Sequence, residues 1–179
     1  MADTFINGGI QTVFPLAGKQ LIYLDFDGAV ADYNGEILQI DDVAVSHSGI
    51  EAERIAEIVY ALNHNYSALG VEFVSEIPET GEYSTIFIGK TSSFDRYGKF
   101  YGVAETIDKG NMLKSDNAFV MLDSDADNVQ IIDIISHETD HLLGILDHCG
   151  EGLQRYAHKE VAFGGTVHDK EKIVISSCG

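Results

Sequence analysis

Residues 127–148 constrain this chain more than any other stretch. They read Asp-Asn-Val-Gln-Ile-Ile-Asp-Ile-Ile-Ser-His-Glu-Thr-Asp-His-Leu-Leu-Gly-Ile-Leu-Asp-His. Asp127 is a good N-cap, and Gln130 three residues later completes a capping-box pattern. Ile131, Ile132, Ile134, Ile135, Leu142 and Leu143 make the helix apolar over much of its circumference, so it is expected to be a buried central helix. Gly144 can take the left-handed conformation that ends it.

On that helix His137 and His141 are four residues apart and project from one face, one turn apart. At a spacing of three or five the two rings would diverge from a common metal position. Glu138 sits beside them, able to handle a proton. Buried imidazole and carboxylate groups without partners cost about 1–3 kcal/mol each, and a metal supplies the partner. Zinc hydrolysis needs three protein ligands plus an open position for water, and a carboxylate that accepts the water's proton and passes it to the leaving amine. His137 and His141 supply two ligands and Glu138 the base. Gly144 lets the chain turn sharply, so that Asp147 or His148 could swing back as the third. Ser136 is expected to pack the helix, not to act as a nucleophile, because no base is paired with it.

The rest of the chain reads as a scaffold. Residues 1–18 lack a clear period and are expected to form an arm. Gln20–Asp27 is a strand, with Asp25 and Asp27 as polar residues at its end. Residues 32–48 suggest a polar loop or short hairpin. Ile50–Leu69 is a helix with one apolar stripe of Ile55, Ile58, Val59, Leu62, Tyr66 and Leu69, stopped by Gly70; His64 beside the stripe is structural. Val71–Ile77, Thr85–Gly89, Tyr101–Ile107 and Ala118–Asp123 are further strands, and Thr85–Gly89 is a continuous apolar run of the kind buried on both faces. A helix between the first two strands predicts a parallel crossover, and the closely linked later strands allow one antiparallel edge. The fold class is therefore α/β or α+β: a mixed five-stranded sheet backed by two long helices, followed by a small irregular C-terminal lobe. Glu151–Lys159 could make a short helix and Val161–Cys178 is extended, with a turn at Gly164-Gly165.

A chain of 179 residues is most simply one domain, with an upper lobe of about 19–143 and a C-terminal lobe of about 144–179. Its formal net charge of −18 argues against a nucleic-acid partner, which needs a basic surface, and fits a salt-exposed or extracellular setting. No apolar run approaches the ~20 residues of a membrane span. Met1-Ala2-Asp3-Thr4-Phe5 lacks the basic and apolar regions of a signal peptide, so the chain is expected either to be cytosolic or to have its export signal outside this sequence. Cys149 and Cys178 are either two separate thiols or one disulfide.

The pattern His137-Glu138-x-x-His141-x-x-Gly144-x-x-Asp147 resembles the metzincin clan of zinc endopeptidases. With Thr139, Leu143, aspartate at 147 and His148 beside it, it looks most like the small secreted snapalysin-type bacterial proteases. The resemblance implies that His137, His141 and Asp147 bind zinc, that Glu138 is the general base, and that the protein is a secreted or cell-surface monomer of bacterial origin. A competing alignment to the matrixins makes His148 the third ligand. The strand order also resembles the metzincin upper lobe, whose antiparallel edge strand pairs with the substrate. Here that place falls to Tyr101–Ile107, with Gly102, Val103 and Ala104 small enough to admit a peptide. Tyr156 is a candidate oxyanion stabiliser. Calcium is compatible with the clan but not indicated by any motif.

One departure stands out. Metzincins carry a methionine beneath the metal, downstream of the third ligand, and this chain has none after Met121; Leu153 or Tyr156 would take its place. A gluzincin-like arrangement would instead use Glu160, and His158 and His168 are read as surface residues. The alternative function is a catalytically weak, metzincin-like binding or adhesion module of a larger exported protein. It is suggested by the missing methionine and by Phe163–Val167 and Ser176–Gly179, which faintly resemble autotransporter stem repeats.

Overall fold

The structure, a computed structural model, describes residues 19–98, 100–122 and 125–145, together with two short strands near the start. Those strands, β1 (Thr4–Ile6) and β2 (Gly9–Gln11), pair antiparallel, so part of the expected arm is a small hairpin. There follow β3 (Gln20–Asp25), β4 (Ala29–Asn34), β5 (Gln39–Val45), α1 (Ala52–Asn65), β6 (Val71–Val74), β7 (Ser84–Gly89), β8 (Gly102–Ala104), β9 (Asn117–Met121) and α2 (Asn128–Leu142).

Five strands form one sheet in the order β6-β3-β7-β9-β8. β6, β3, β7 and β9 run parallel, and β8 pairs antiparallel with β9 at the edge. This is the expected mixed five-stranded sheet with two helices, and α1 is the crossover between β3 and β6. Apart from β7, which begins one residue earlier than expected at Ser84, the strands are shorter than the apolar runs suggested. β3 stops at Asp25 because the Asp25 carboxylate accepts from the backbone of Asp27 at 2.9 Å and turns the chain. β8 keeps only three residues of Tyr101–Ile107, although Tyr101 and Glu105 still bond to Met121 and Asn117 at its two ends.

Of the two expectations for residues 32–48, the short hairpin is the one the structure has. β4 and β5 form a second, antiparallel sheet that already begins at Ala29. Its reason is burial: Tyr33, Val43 and Val45 pack on Phe87, Phe94, Val103 and Phe119, on the sheet face opposite the helices. Tyr33 meets Phe94 and Phe119 edge-on. With the hairpin on one face and the helices on the other, Ile86, Phe87 and Ile88 are buried in succession, as a strand covered on both sides requires.

The helix-side core joins Ile22, Leu24, Ile86, Ile88 and Val120 of the sheet to Ile58 and Leu62 of α1 and Ile131, Ile135 and Leu142 of α2. The whole expected stripe of α1 takes part, from Ile55 to Leu69. The helix itself ends at Asn65 and tightens into a short 3₁₀ turn before Gly70. His64 is exposed on its last turn. Across the helix pair, the Tyr66 hydroxyl is shared between the Ser136 carbonyl at 2.9 Å and the Asp140 carboxylate at 2.7 Å. At the N-terminal ends of the central strands, a buried polar chain runs from the Gln20 amide to the Ser84 hydroxyl at 2.8 Å and on to the Asp116 carboxylate. No helix among the described residues is long and apolar enough to cross a membrane.

Candidate functional site

The start of α2 sets the phase of everything on it. The backbone of Gln130 donates to the Asp127 carboxylate at 2.9 Å, and the backbone of Asp127 donates to the Gln130 side chain at 3.0 Å. This capping box satisfies two orphan donors of the first turn. Counting from it, Ile131, Ile135, Glu138 and Leu142 lie along one stripe, and all four are buried. Three of them enter the core. Glu138 takes the fourth place in the stripe, where an aliphatic residue would ordinarily sit, and is only 3% exposed.

Edge strand β8 makes room for it. In the β8–β9 ladder Tyr101 and Glu105 bond to β9, so their backbone groups point inward, whereas those of Gly102 and Ala104 point away from β9. Side chains alternate the other way: Val103 enters the hairpin-side core, while Ala104 packs on the helix side. The Glu138 carboxyl group lies against Gly102 on that same helix side. A Cβ built at Gly102 would come within 2.7 Å of the Glu138 carboxyl carbon and 2.8 Å of its Cγ. The absence of side chain at this position therefore serves α2. The outward backbone of β8 remains the surface on which an added strand would lie.

His137 and His141 stand next to Glu138. Their ring centres are 4.8 Å apart with the planes at 88°. Two imidazole nitrogens about 2.0–2.1 Å from one tetrahedral ion put the ring centres about 5 Å apart, so the separation of this pair is compatible with one shared zinc. His141 is 7% exposed and His137 half-buried. Among the described residues no third histidine, cysteine, aspartate or glutamate joins them in a metal-binding group. The expected third ligand Asp147, its alternatives His148 and Glu160, and the candidates Tyr156, Leu153, His158, His168, Cys149 and Cys178 all lie outside the described residues. So do the expected helix at 151–159, the extended segment 161–178 and all but the first two residues of the expected C-terminal lobe.

The chain leaves α2 in a defined direction. Gly144 has φ +63°; its N–H donates to the His141 carbonyl at 2.9 Å, and Ile145 N–H donates to the Asp140 carbonyl at 2.9 Å. Those two bonds form the Schellman cap. The His141 carbonyl also accepts from Asp108 N–H at 3.1 Å. Asp108 belongs to the turn between β8 and β9, held by Leu113 N–H on its carboxylate at 2.7 Å. A Cβ at Gly144 would meet the Asp108 carbonyl carbon at 2.6 Å and Lys109 Cα at 2.8 Å. Backbone geometry and lack of space both require glycine here.

Sequence reasoning missed two contributors. Tyr33, 1% exposed, reaches from β4 to the Ala104 carbonyl of the edge strand. Burial, then the carboxylates of Glu105 and Glu138, push its hydroxyl above the usual tyrosine range, so it stays a proton donor. Glu105, 8% exposed, accepts from Asn34 N–H at 2.8 Å and Asn117 N–H at 2.9 Å, tying the hairpin to the β8–β9 turn. Among the described residues Asp25 and Asp27 join no metal-binding group; they form the turn after β3. Beside Tyr101 a cavity of about 640 Å³ opens at the ends of β7 and β9, lined by Lys90, Phe94, Asp95, Phe100 and Met121 among others. Neither protein-family models nor curated protein sequences match this chain.

Proposed function

We propose that this protein is a zinc-dependent endopeptidase of the metzincin-like, aspartate-ligand kind. One observation carries the reading: two imidazoles at zinc-bridging separation flank a carboxylate held against the edge strand of a mixed sheet. His137 and His141 would hold the ion with a third ligand, expected to be Asp147. When bound, zinc lowers the pKa of its water and polarises the substrate carbonyl. Glu138 accepts the proton at its carboxylate and returns it to the leaving amine. Burial by β8 keeps bulk water from that carboxylate and strengthens its charge interactions. The outward N–H and C=O groups of Gly102 and the outward N–H of Ala104, whose carbonyl accepts from Tyr33, suit an extended peptide added to β8. Secretion or surface display in a bacterium is part of the proposal and rests on the motif's resemblance alone.

Metal analysis should find about one zinc per chain, and Glu138→Ala should keep the zinc while losing about 10²–10⁴-fold in peptide hydrolysis. A folded chain that takes up no zinc when it is supplied would refute the reading. The absence of any methionine after Met121 favours the second reading, a binding or adhesion module. A zinc-loaded protein that cleaves nothing in a broad peptide library would select it.

A further inference from the structure

We infer that Gly102 is a positioning residue for Glu138: its missing side chain is the seat of the general base. The catalytic part of this inference rests on the endopeptidase reading; the seat itself rests on packing alone.

Glycine serves a strand for one of two reasons, freedom of φ or absence of Cβ. Gly102 is not among the residues with positive φ, so the first reason does not apply. On backbone entropy alone alanine would be preferred here. What alanine would meet first is one side chain: the three atoms nearest a Cβ at 102 are Oε1, Cδ and Cγ of Glu138. Glu138 has no easy retreat, being 3% exposed and flanked on α2 by the fully buried Ile135 and Thr139. Adding one methyl group therefore moves the carboxylate. The backbone groups of Gly102 still point outward from the ladder, while His141, three residues on, shares that side of the helix, so zinc affinity has to be measured beside the kinetics. A base displaced by about 1 Å loses on the order of 100-fold in rate. The expected signature is a fall in kcat with KM unchanged and zinc still bound.

The test is a double-mutant cycle on the zinc-loaded protein, with unfolding midpoints and kinetics measured for wild type, Gly102→Ala, Glu138→Ala and the double variant. Gly102→Ala should lower the midpoint when Glu138 is present and leave it unchanged or raised when residue 138 is alanine. A Gly102→Ala chain that folds only alongside Glu138→Ala is the extreme form of the same result. In the Glu138 background kcat should fall about 100-fold with KM constant. An equal shift of midpoint in both backgrounds overturns the inference, as does an undiminished kcat. Coupling in the midpoints together with a wild type that cleaves no peptide upholds the seat and sinks the endopeptidase reading.

Discussion

The hydroxyl of Tyr33 on β4 donates to the backbone carbonyl of Ala104 on β8 at 3.3 Å, across 71 residues of sequence. It is the point where the hairpin on one face of the sheet grips the edge strand that Glu138 abuts from the other. A buried phenol needs such a partner, and the carbonyl it takes is one of those that point away from β9. Tyr33→Phe should cost about 1 kcal/mol, a fall in Tm of roughly 2–4 °C, since one net hydrogen bond is lost and the ring packing is kept. Amide exchange at Gly102–Glu105 should speed up more than elsewhere. An unchanged urea midpoint with unchanged exchange would show that the contact contributes nothing.

Gly144→Ala should be more damaging. The left-handed conformation alone costs alanine about 1 kcal/mol, and the Asp108 carbonyl occupies the space its methyl group needs. A combined loss of about 2–4 kcal/mol in urea unfolding is expected. Because Asp108 N–H bonds to the His141 carbonyl, pushing that turn away also loosens His141. Zinc affinity by chelator competition should weaken about 10–100-fold, the scale for losing support behind a ligand. A Gly144→Ala protein of wild-type stability would mean that the helix end does not adopt this cap.

The Asp116 carboxyl is pushed up to about 6, mainly by burial and only partly offset by its bond from Ser84. Its Oδ2 has no hydrogen-bond partner among the described residues. Asp140 is likewise raised to about 6 by burial, against the opposing bond from Tyr66. Both groups hold their proton more tightly folded than unfolded, where a carboxyl titrates near 3.9. Between about pH 4 and 6 the folded chain therefore binds more protons, and stability falls as pH rises through that window. Above pH 6 the full cost is present, at most about 3 kcal/mol per group. The relief of repulsion among the chain's net negative charges at low pH runs in the same direction, so the comparison must be between variants. Asp116→Asn keeps an acceptor for Ser84 and should flatten the curve while stabilising the chain at pH 7. Parallel wild-type and variant curves would disprove the assignment.

The third ligand can be settled by two substitutions outside the described residues. In the expected arrangement Asp147→Ala lowers zinc affinity at least as far as His141→Ala does, and His148→Ala leaves it nearly intact. The reverse order would place the chain in the matrixin-like register. In either case zinc affinity should fall as pH drops, since protons compete with the metal for the imidazole and carboxylate ligands. Isothermal titration at several pH values reads both effects.

Much of the scaffold was legible because its signals are short-ranged. The stripe from Ile55 to Leu69 repeats at helical steps, and it is that stripe which packs on the sheet. Asp127 and Gln130 cap each other three residues apart. Strand ends were less legible. Ile107 continues the apolar run of Tyr101–Ile107, yet the chain leaves the ladder once Glu105 has turned to bond Asn34 and Asn117. Polarity left the β4–β5 segment open between loop and hairpin, because only one side of a hairpin lying on another sheet is buried: Tyr33, Val43 and Val45 face in, while Asp32, Asp41 and Asp42 face solvent.

Two kinds of information meet at α2. The sequence by itself determined that a helix begins at Asp127, that His137 and His141 share one face of it, and that Gly144 can end it. Those relationships span three to five residues and follow from helix geometry and backbone hydrogen bonding alone. Only the tertiary structure decided that Glu138 rests on Gly102, that Tyr33 grips Ala104 and that Asp108 abuts Gly144. Each of these depends on β9 lying between β7 and β8 and on the hairpin covering the far face. No local periodicity encodes such distances. They are set by which surfaces must be buried together, and that choice brings a glycine of an edge strand under a carboxylate on a distant helix.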